Sequence, residues 1–367
     1  MTSAVIASDR LTEARRVAEI CNACRYCEGF CATFPAMTQY RTFDEASLEY
    51  LANLCHNCNA CYHACQYAPP HEFGVNIPQA LAELRADVYE KWAWPGPFAR
   101  LLERNGLVVS VVTALSLGAI FSLLLYLQDS TAVLSAHNGP GAFYAVIGHG
   151  LMVAVASSTF LFSTLALAIG MYRFAQSIDL KPPTWVDLSR AGHDVASMRY
   201  LGGHDNDGCN TSDASFSNAR RIYHQLAMWG FLLCFAATCV ATVYDYVFGL
   251  VAPYPFFSIP VLLGTFGGVG LGIGCIGLLV IKHKSDPQPM AASQRGMDYA
   301  LLVLLLAVSL TGLILLALRE TSAMGLLLAL HLGVVLAFFL LMPYSKFVHA
   351  GYRFVALLKN AQSERLP

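Results

Sequence analysis

Eight of the chain's 12 cysteines fall between residues 21 and 65, in two runs of identical spacing. Cys21, Cys24, Cys27 and Cys31 read C-x2-C-x2-C-x3-C, and Cys55, Cys58, Cys61 and Cys65 repeat it. Three thiolates at that spacing can wrap one face of a cubane iron–sulfur cluster. The fourth then points away to a second centre, as in bacterial-type two-cluster ferredoxins. The expected ligand sets are Cys21, Cys24, Cys27 and Cys65 for one [4Fe–4S] cluster, and Cys55, Cys58, Cys61 and Cys31 for the other. A disulfide framework fits poorly, because Asp9, Arg10, Glu13, Arg15 and Arg16 interrupt any secretory signal at the N-terminus. Zinc sites use pairs of C-x2-C, which would leave the third and fourth cysteine of each run surplus.

The elements that must position these thiols read as helical. Residues 8–20 carry Leu11, Arg15 and Ala18 at turn spacing, with Ser8 as a candidate N-cap. Residues 44–54 form a second helical pattern, and Pro35 and Pro69-Pro70 are expected to end local helices. Residues 1–75 thus read as an α-helical two-cluster ferredoxin-like domain. Residues 76–106 follow as an amphipathic linker helix, whose Trp92, Trp94, Lys91, Arg100 and Arg104 suit a segment lying at a membrane surface.

The remainder, 107–367, is of another character. Across the 367 residues, 56% are hydrophobic and only 13% charged, a membrane protein's balance. A net charge of −1 without a basic block excludes nucleic-acid binding. Six apolar stretches are long enough to cross a hydrocarbon core of about 30 Å. They are 107–127, 142–172, 225–248, 257–281, 299–318 and 325–343, the last continuing as helix beyond Pro343. Loops 173–221 and 282–298 and the C-terminal tail are rich in Lys and Arg, whereas the alternate loops hold only Arg319. The positive-inside rule then places both termini, and the cysteine runs, in the cytoplasm of a bacterial inner-membrane protein.

Ionisable residues inside spans are costly and mark function. His149, His224, His331 and His349 lie in or at the ends of spans. On a continuous helix, the eighteen residues from His331 to His349 are five whole turns, about 27 Å apart on one face. The depth implied by the topology pairs His149 with His331 near the outer surface and His224 with His349 near the inner one. Bis-histidine ligation of two b-type haems is the expectation, and histidines without metal remain the alternative. His56 and His63 lie inside the second run and are candidates for tuning a cluster by hydrogen bonding. Cys209, Cys234, Cys239 and Cys275 read as buried small residues. The turn-rich 202–209 stretch, GGHDNDGC, reads as a surface loop or as a cover for a cluster. Seven glycines in the fourth span suit close packing of helices or of a flat cofactor. No flavin or nicotinamide fingerprint is present.

The tandem cysteine runs, GGHDNDGC followed by FSNARRIYHQL, FLLCFAATCVAT, MDYALLVLLLAVSLTG and PYSKFVHAGYR together resemble the TcuB/CitB family, tricarballylate or citrate utilization protein B. The resemblance spans essentially the whole chain. It implies a membrane-bound iron–sulfur, haem-containing electron carrier related to the C-terminal half of CobZ. It further implies a separate FAD-dependent partner, a TcuA-like tricarballylate dehydrogenase, whose reduced flavin this chain would reoxidise. The spacing of His331 and His349 is also similar to that in the dihaem subunit of respiratory nitrate reductases, by analogy only. The expected architecture is all-α: a two-[4Fe–4S] ferredoxin-like domain followed by a six-helix transmembrane bundle of cytochrome b type. The expected function is electron transfer from the partner's FAD through two [4Fe–4S] clusters and haem b to membrane quinone. Two rivals remain: a CobZ-like component of an oxygen-dependent cobalamin-synthesis enzyme, and a redox-sensing transporter.

Overall fold

The computed structural model describes residues 3–102, 105–203 and 207–365. His204, Asp205 and Asn206 of the 202–209 stretch lie outside the described residues. Among the described residues the secondary structure is helical, apart from one isolated bridge between Cys209 and Ser217.

Five helices make the N-terminal unit: α1 (Ser3–Cys24), α2 (Thr33–Met37), α3 (Glu45–Leu54), α4 (Ala60–His63) and α5 (Ile77–Trp92). The α1 helix begins at Ser3, so Ser8 lies within it and does not cap it. Pro35 sits in the first turn of α2, where its missing N–H removes no helical bond, and it does not end a helix. Asp44 caps α3 by accepting from the Ser47 N–H at 2.8 Å.

The α5 segment differs from the surface-lying linker expected of it. Ile77, Leu81, Leu84, Val88 and Tyr89 are buried, and the helix packs against α1 and α3. Its apolar stripe is covered by protein, and Lys91 reaches Glu45 and Glu49 of α3, each at 2.6 Å. Of the aromatic residues at its end, Trp92 donates its ring N–H to Glu49 at 3.1 Å, and the half-buried Trp94 ring lies 6.4 Å from Phe162 of a membrane-length helix.

Six further helices are long and apolar enough to cross a membrane. They are α6 (Asn105–Leu127), α8 (His149–Ser177), α10 (Ala219–Phe248), α11 (Ile259–Lys284), α12 (Arg295–Leu318) and α13 (Met324–Leu341). Shorter helices α7 (Ser130–Val133), α9 (Trp185–Ser197) and α14 (His349–Arg365) complete the chain. Helix α8 starts at His149 and not near residue 142. The chain before it turns through Gly139 and Gly141, both at positive φ that side chains disfavour.

The last span is not one helix through Pro343. Two short 3-10 turns, Met342–Tyr344 and Lys346–Val348, flank an extended Ser345. Proline removes an N–H and clashes with the preceding turn, which ends α13. His331 and His349 therefore belong to different helices, and the one-face estimate no longer applies.

Helix α14 packs against α3, α8 and α9. One continuous core joins Leu48 and Leu51 of α3, Leu84 and Val88 of α5, Phe174 of α8, Ala191 of α9 and Tyr352 of α14. The cysteine-bearing unit and the near end of the membrane helices thus share a hydrophobic core, whose burial is worth roughly 25 cal/mol per Å² of apolar surface.

The glycines of the fourth span serve helix packing. A methyl group on Gly274 would sit 2.4 Å from the Ala227 N of α10, and one on Gly277 would sit 2.2 Å from the Tyr223 ring. On another face, Ser309 of α12 donates to the Gly268 carbonyl at 2.6 Å. With lipid as solvent, such close backbone approach is a main source of helix association. Gly274→Val is expected to destabilise the α10–α11 pair by about 1–3 kcal/mol, the usual range for overpacking. Thermal aggregation of the detergent-solubilised variant checks this.

At the C-terminus, Asp187 closes a capping box with Thr184 and accepts from Arg365 at 2.9 and 3.2 Å. The Arg365 guanidinium, with help from Thr184, holds the Asp187 carboxyl down at about 2, against an ordinary 3.8. The depressed value means its contribution is present above pH 3.8 and lost as pH falls through about 2. Asp187→Asn should lower thermal stability at neutral pH and flatten the acid limb of a Tm-against-pH series between those values.

Candidate metal centres

The last turn of α1 places Cys21 and Cys24 three residues apart, hence on one face. A tight turn beyond the helix carries Cys27, and Cys65 arrives from the end of α4. All four, together with Cys61, line a single cavity of about 220 Å³, with Phe34, Tyr67 and Ile77 among its walls. That is far more than the roughly 10–15 Å³ one water requires. Burial first, then the Cys65, Cys27 and Cys24 thiols, push the Cys21 thiol up to about 12. One edge is open: Cys24 is exposed and Tyr26 beside it is 69% exposed.

Cys31 departs from its own run. Burial and then Cys58 and Cys55 push its thiol up to about 12. Burial and then Cys58, Cys55 and Cys31 raise Cys61. The strongest thiol neighbours of Cys21 and Cys27 include Cys65, while those of Cys31 are in the second run. The two runs are thus folded across one another. Among the described residues, no three His, Cys, Asp or Glu side chains gather as a site for a single metal ion. The first-centre thiols border a volume instead of converging on a point, an arrangement that suits a polynuclear cluster. Protonated buried thiols would release their protons on loading.

The second run is encircled by cations that the sequence pattern does not single out. Arg85 of α5 donates to the Ala52 and Cys55 carbonyls at 2.6 and 2.8 Å. Arg353 of α14 donates to Cys55 and Asn53 at 2.8 and 3.4 Å, and Arg220 of α10 donates to His56 and Asn57. No carboxylate pairs with any of the three among the described residues. Uncompensated cations in a protein interior are costly, and an anionic group among them removes that cost. A cluster held by four thiolates is such an anion, so the donor set and its surroundings fit a [4Fe–4S] group at this run.

The loop after α9 covers the same run. The Asn210 N–H donates to the Cys58 carbonyl at 3.0 Å, and the fully buried Cys209 donates its thiol to the Leu201 carbonyl at 3.3 Å and packs in one buried cluster with Cys58. Cys209 is thus more than an isolated small residue, and its place six residues after Gly203, in the turn-rich stretch read as a surface loop or a cluster cover, is the signal the sequence offers for it. His56 is buried with Nδ1 against the Leu54 carbonyl at 2.8 Å, and its ring lies 5.5 Å from that of Tyr200. Its hydrogen bond goes to the backbone and not to a thiol. His63 packs its ring on Tyr62 and, among the described residues, leaves Nε2 buried without a partner.

Of the four span histidines, the structure brings two together. His224, in the first turns of α10, and His349, the first residue of α14, have ring centroids 6.1 Å apart at 81°. His349 Nδ1 is tied to the Lys346 carbonyl at 2.5 Å, and among the described residues His224 Nδ1 is buried without a partner. A metal with nitrogen ligands at about 2 Å on either side would separate two imidazoles by a similar amount. The orphaned nitrogen and the spacing fit a haem held between the rings. His149 and His331 go elsewhere. His149 Nε2 lies 3.2 Å from Asp245 with Tyr144 and Tyr246 beside its ring, whereas His331 Nδ1 lies 2.9 Å from Thr311 Oγ1. No ring contact joins them among the described residues. The break at Pro343 and the start of α8 at His149 are what the depth argument lacked. His283 is exposed.

Comparison with known proteins adds the family. The family profile "Citrate utilization protein B" matches residues 98–367, and "Citrate utilization protein B Fer4-like domain" matches residues 14–91. A protein of Escherichia coli named "Citrate utilization protein B" is 47% identical over 365 residues, covering 99% of this chain and 95% of the relative. No solved structure matches the chain. With a helical Fer4-like unit joined to six apolar helices and these matches along nearly its whole length, the chain belongs to the citrate utilization protein B family.

Proposed function

We propose that this protein is a membrane electron-transfer subunit that takes electrons from the reduced FAD of a partner dehydrogenase and delivers them to membrane quinone. The crossing of the two cysteine runs carries this reading, because it gathers Cys21, Cys24, Cys27 and Cys65 around one cavity and turns Cys31 toward Cys55 and Cys58. In the proposal those sets, the second completed by Cys61, would each hold a [4Fe–4S] cluster, and His224 and His349 would hold a haem b. When bound, these groups exchange single electrons, which divides the two-electron oxidation of a flavin into one-electron steps.

The chain's own part is positional. The near-end core holds both cysteine runs and the histidine pair in one packed body, and the loop bearing Cys209 keeps water from the second run. Lys346 fixes the His349 ring through its carbonyl, and the ring so held lies with its centroid 6.1 Å from that of His224. His149 and His331, with separate partners, do not support a second haem in this arrangement, and the reading rests on the inner pair. Family membership and the relative's name support a role in citrate utilization, and the dehydrogenase partner, with tricarballylate as its substrate, is what the resemblance of the motifs implies. The distribution of Lys and Arg supports cytoplasmic termini in a bacterial inner membrane.

The test is chemical analysis of anaerobically purified, detergent-solubilised protein, with EPR of the reduced and oxidised forms. About eight non-haem irons, matching acid-labile sulfide and about one low-spin haem per chain are expected from two four-iron clusters and one bis-histidine site. His349→Ala should lose the haem and keep the iron. Zinc in place of iron would reject the reading altogether. A second measurement checks the crossing: Cys65→Ser should perturb the same EPR signal as Cys24→Ser, and Cys31→Ser the other one. If Cys65→Ser and Cys61→Ser share a signal that Cys24→Ser leaves intact, the crossed ligand sets are wrong.

A further inference from the structure

The three arginines around the second run have a consequence for the direction of electron flow. Arg220 lies four residues before His224 on α10, and Arg353 lies four residues after His349 on α14. Four residues are about one helical turn, or roughly 5.4 Å of rise. The two helices that supply the ring pair therefore each reach, one turn away, a carbonyl of the second cysteine run: Cys55 from Arg353, His56 and Asn57 from Arg220. Arg85 adds a third guanidinium on Cys55, and it is buried. Among the described residues the first run has nothing comparable. Arg25 bonds the Asn22 carbonyl from an exposed position, where water screens its charge, and Arg16 is paired with Glu13.

We propose that Arg85, Arg220 and Arg353 make the second cysteine run the higher-potential of the two cluster stations and fix its distance to the His224–His349 pair. This rests on the electron-transfer reading above. Adding an electron adds negative charge, and a buried cation favours the more negative form far more than a solvated one does. With the clusters and haem bound, electrons delivered at the open Cys24 edge would run inward to the Cys55–Cys61 station, and from there to the ring pair. The balance closes with a reduced flavin as donor and a quinone as acceptor. One reduced flavin would release two electrons, one at a time, and two protons to solvent, and those two electrons with two protons taken from solvent would convert one quinone to quinol. Arg220 and Arg353 act as positioning residues in this scheme, since they touch carbonyls and not the reacting centres.

The experiment is an EPR-monitored redox titration of the intact purified protein, in the wild type and in the Arg220→Gln, Arg353→Gln, Arg220→Lys and Arg353→Lys variants. Iron and sulfide are assayed on every sample, and Cys24→Ser identifies the first station's signal. In the wild type the second station should reduce at the higher potential. Each Gln variant should make that station harder to reduce by about tenfold in its electron exchange with the first, about 59 mV for one electron, with the first unmoved. The Lys variants, which keep the charge without the fork, should retain most of the wild-type gap. The proposal is overturned if the first station has the higher potential, if the Gln variants shift neither or both stations equally, or if Lys shifts the second station as far as Gln. Wild-type protein lacking about eight irons instead rejects the electron-transfer reading itself.

Discussion

Guanidinium groups held against backbone carbonyls of the second cysteine run are the constraint around which the near end of this protein is built. Each arginine comes from a different part of the chain: α5, α10 and α14. A cation carried inside a protein must be hydrogen-bonded, and a carbonyl-lined turn offers the acceptors while an anionic cluster offers the charge. Satisfying all three at once forces α5 between α1 and α3, brings the start of α10 under the cysteine loop and sets α14 on α3. The same convergence puts His224 beside His349. The histidine pair and the second run are thus consequences of one packing solution.

Away from that junction the membrane helices divide into two kinds of contact. Helices α10 and α11 meet backbone to backbone through Gly230, Gly267 and Gly274. Helices α8, α10 and α13 meet through large rings instead: Phe160 lies 5.6 Å from Phe235 and 5.3 Å from Phe339, and Phe231 lies 5.6 Å from Phe338. Close glycine packing gives a rigid hairpin, whereas ring-on-ring packing spaces helices apart. The His224–His349 pair sits at the near end of the spaced set. A second device fixes the near end. Asp298 of α12 pairs with Lys282 of α11 and with Lys346, while Gln294 bonds the Ala82 carbonyl of α5. Charged groups at helix ends thereby tie three spans to the N-terminal unit.

Much of this was legible from the residues in order. Eight cysteines in two equal runs point to two clusters because cluster ligation demands thiols at that local spacing, and six long apolar stretches point to six spans because the hydrocarbon core demands that length. Both are requirements on neighbouring residues, so a linear pattern carries them. The glycine-rich fourth span was ambiguous, since small residues suit a cofactor and a helix equally. The Cβ clashes with Ala227 and Tyr223 decide for the helix.

What only the tertiary structure decided depends on residues distant in sequence. Arg85, Arg220 and Arg353 are ordinary charged residues until the fold sets them on one turn. Cys209 is an unremarkable thiol until its loop closes over Cys58. Depth along the spans pairs His224 with His349 and His149 with His331, and the fold brings only the first two rings together, while His149 meets Asp245 and His331 meets Thr311. Local chemistry and length are written in spacing along the chain. Which side chains meet is set by packing, in which a single break of helix direction reassigns every partner beyond it.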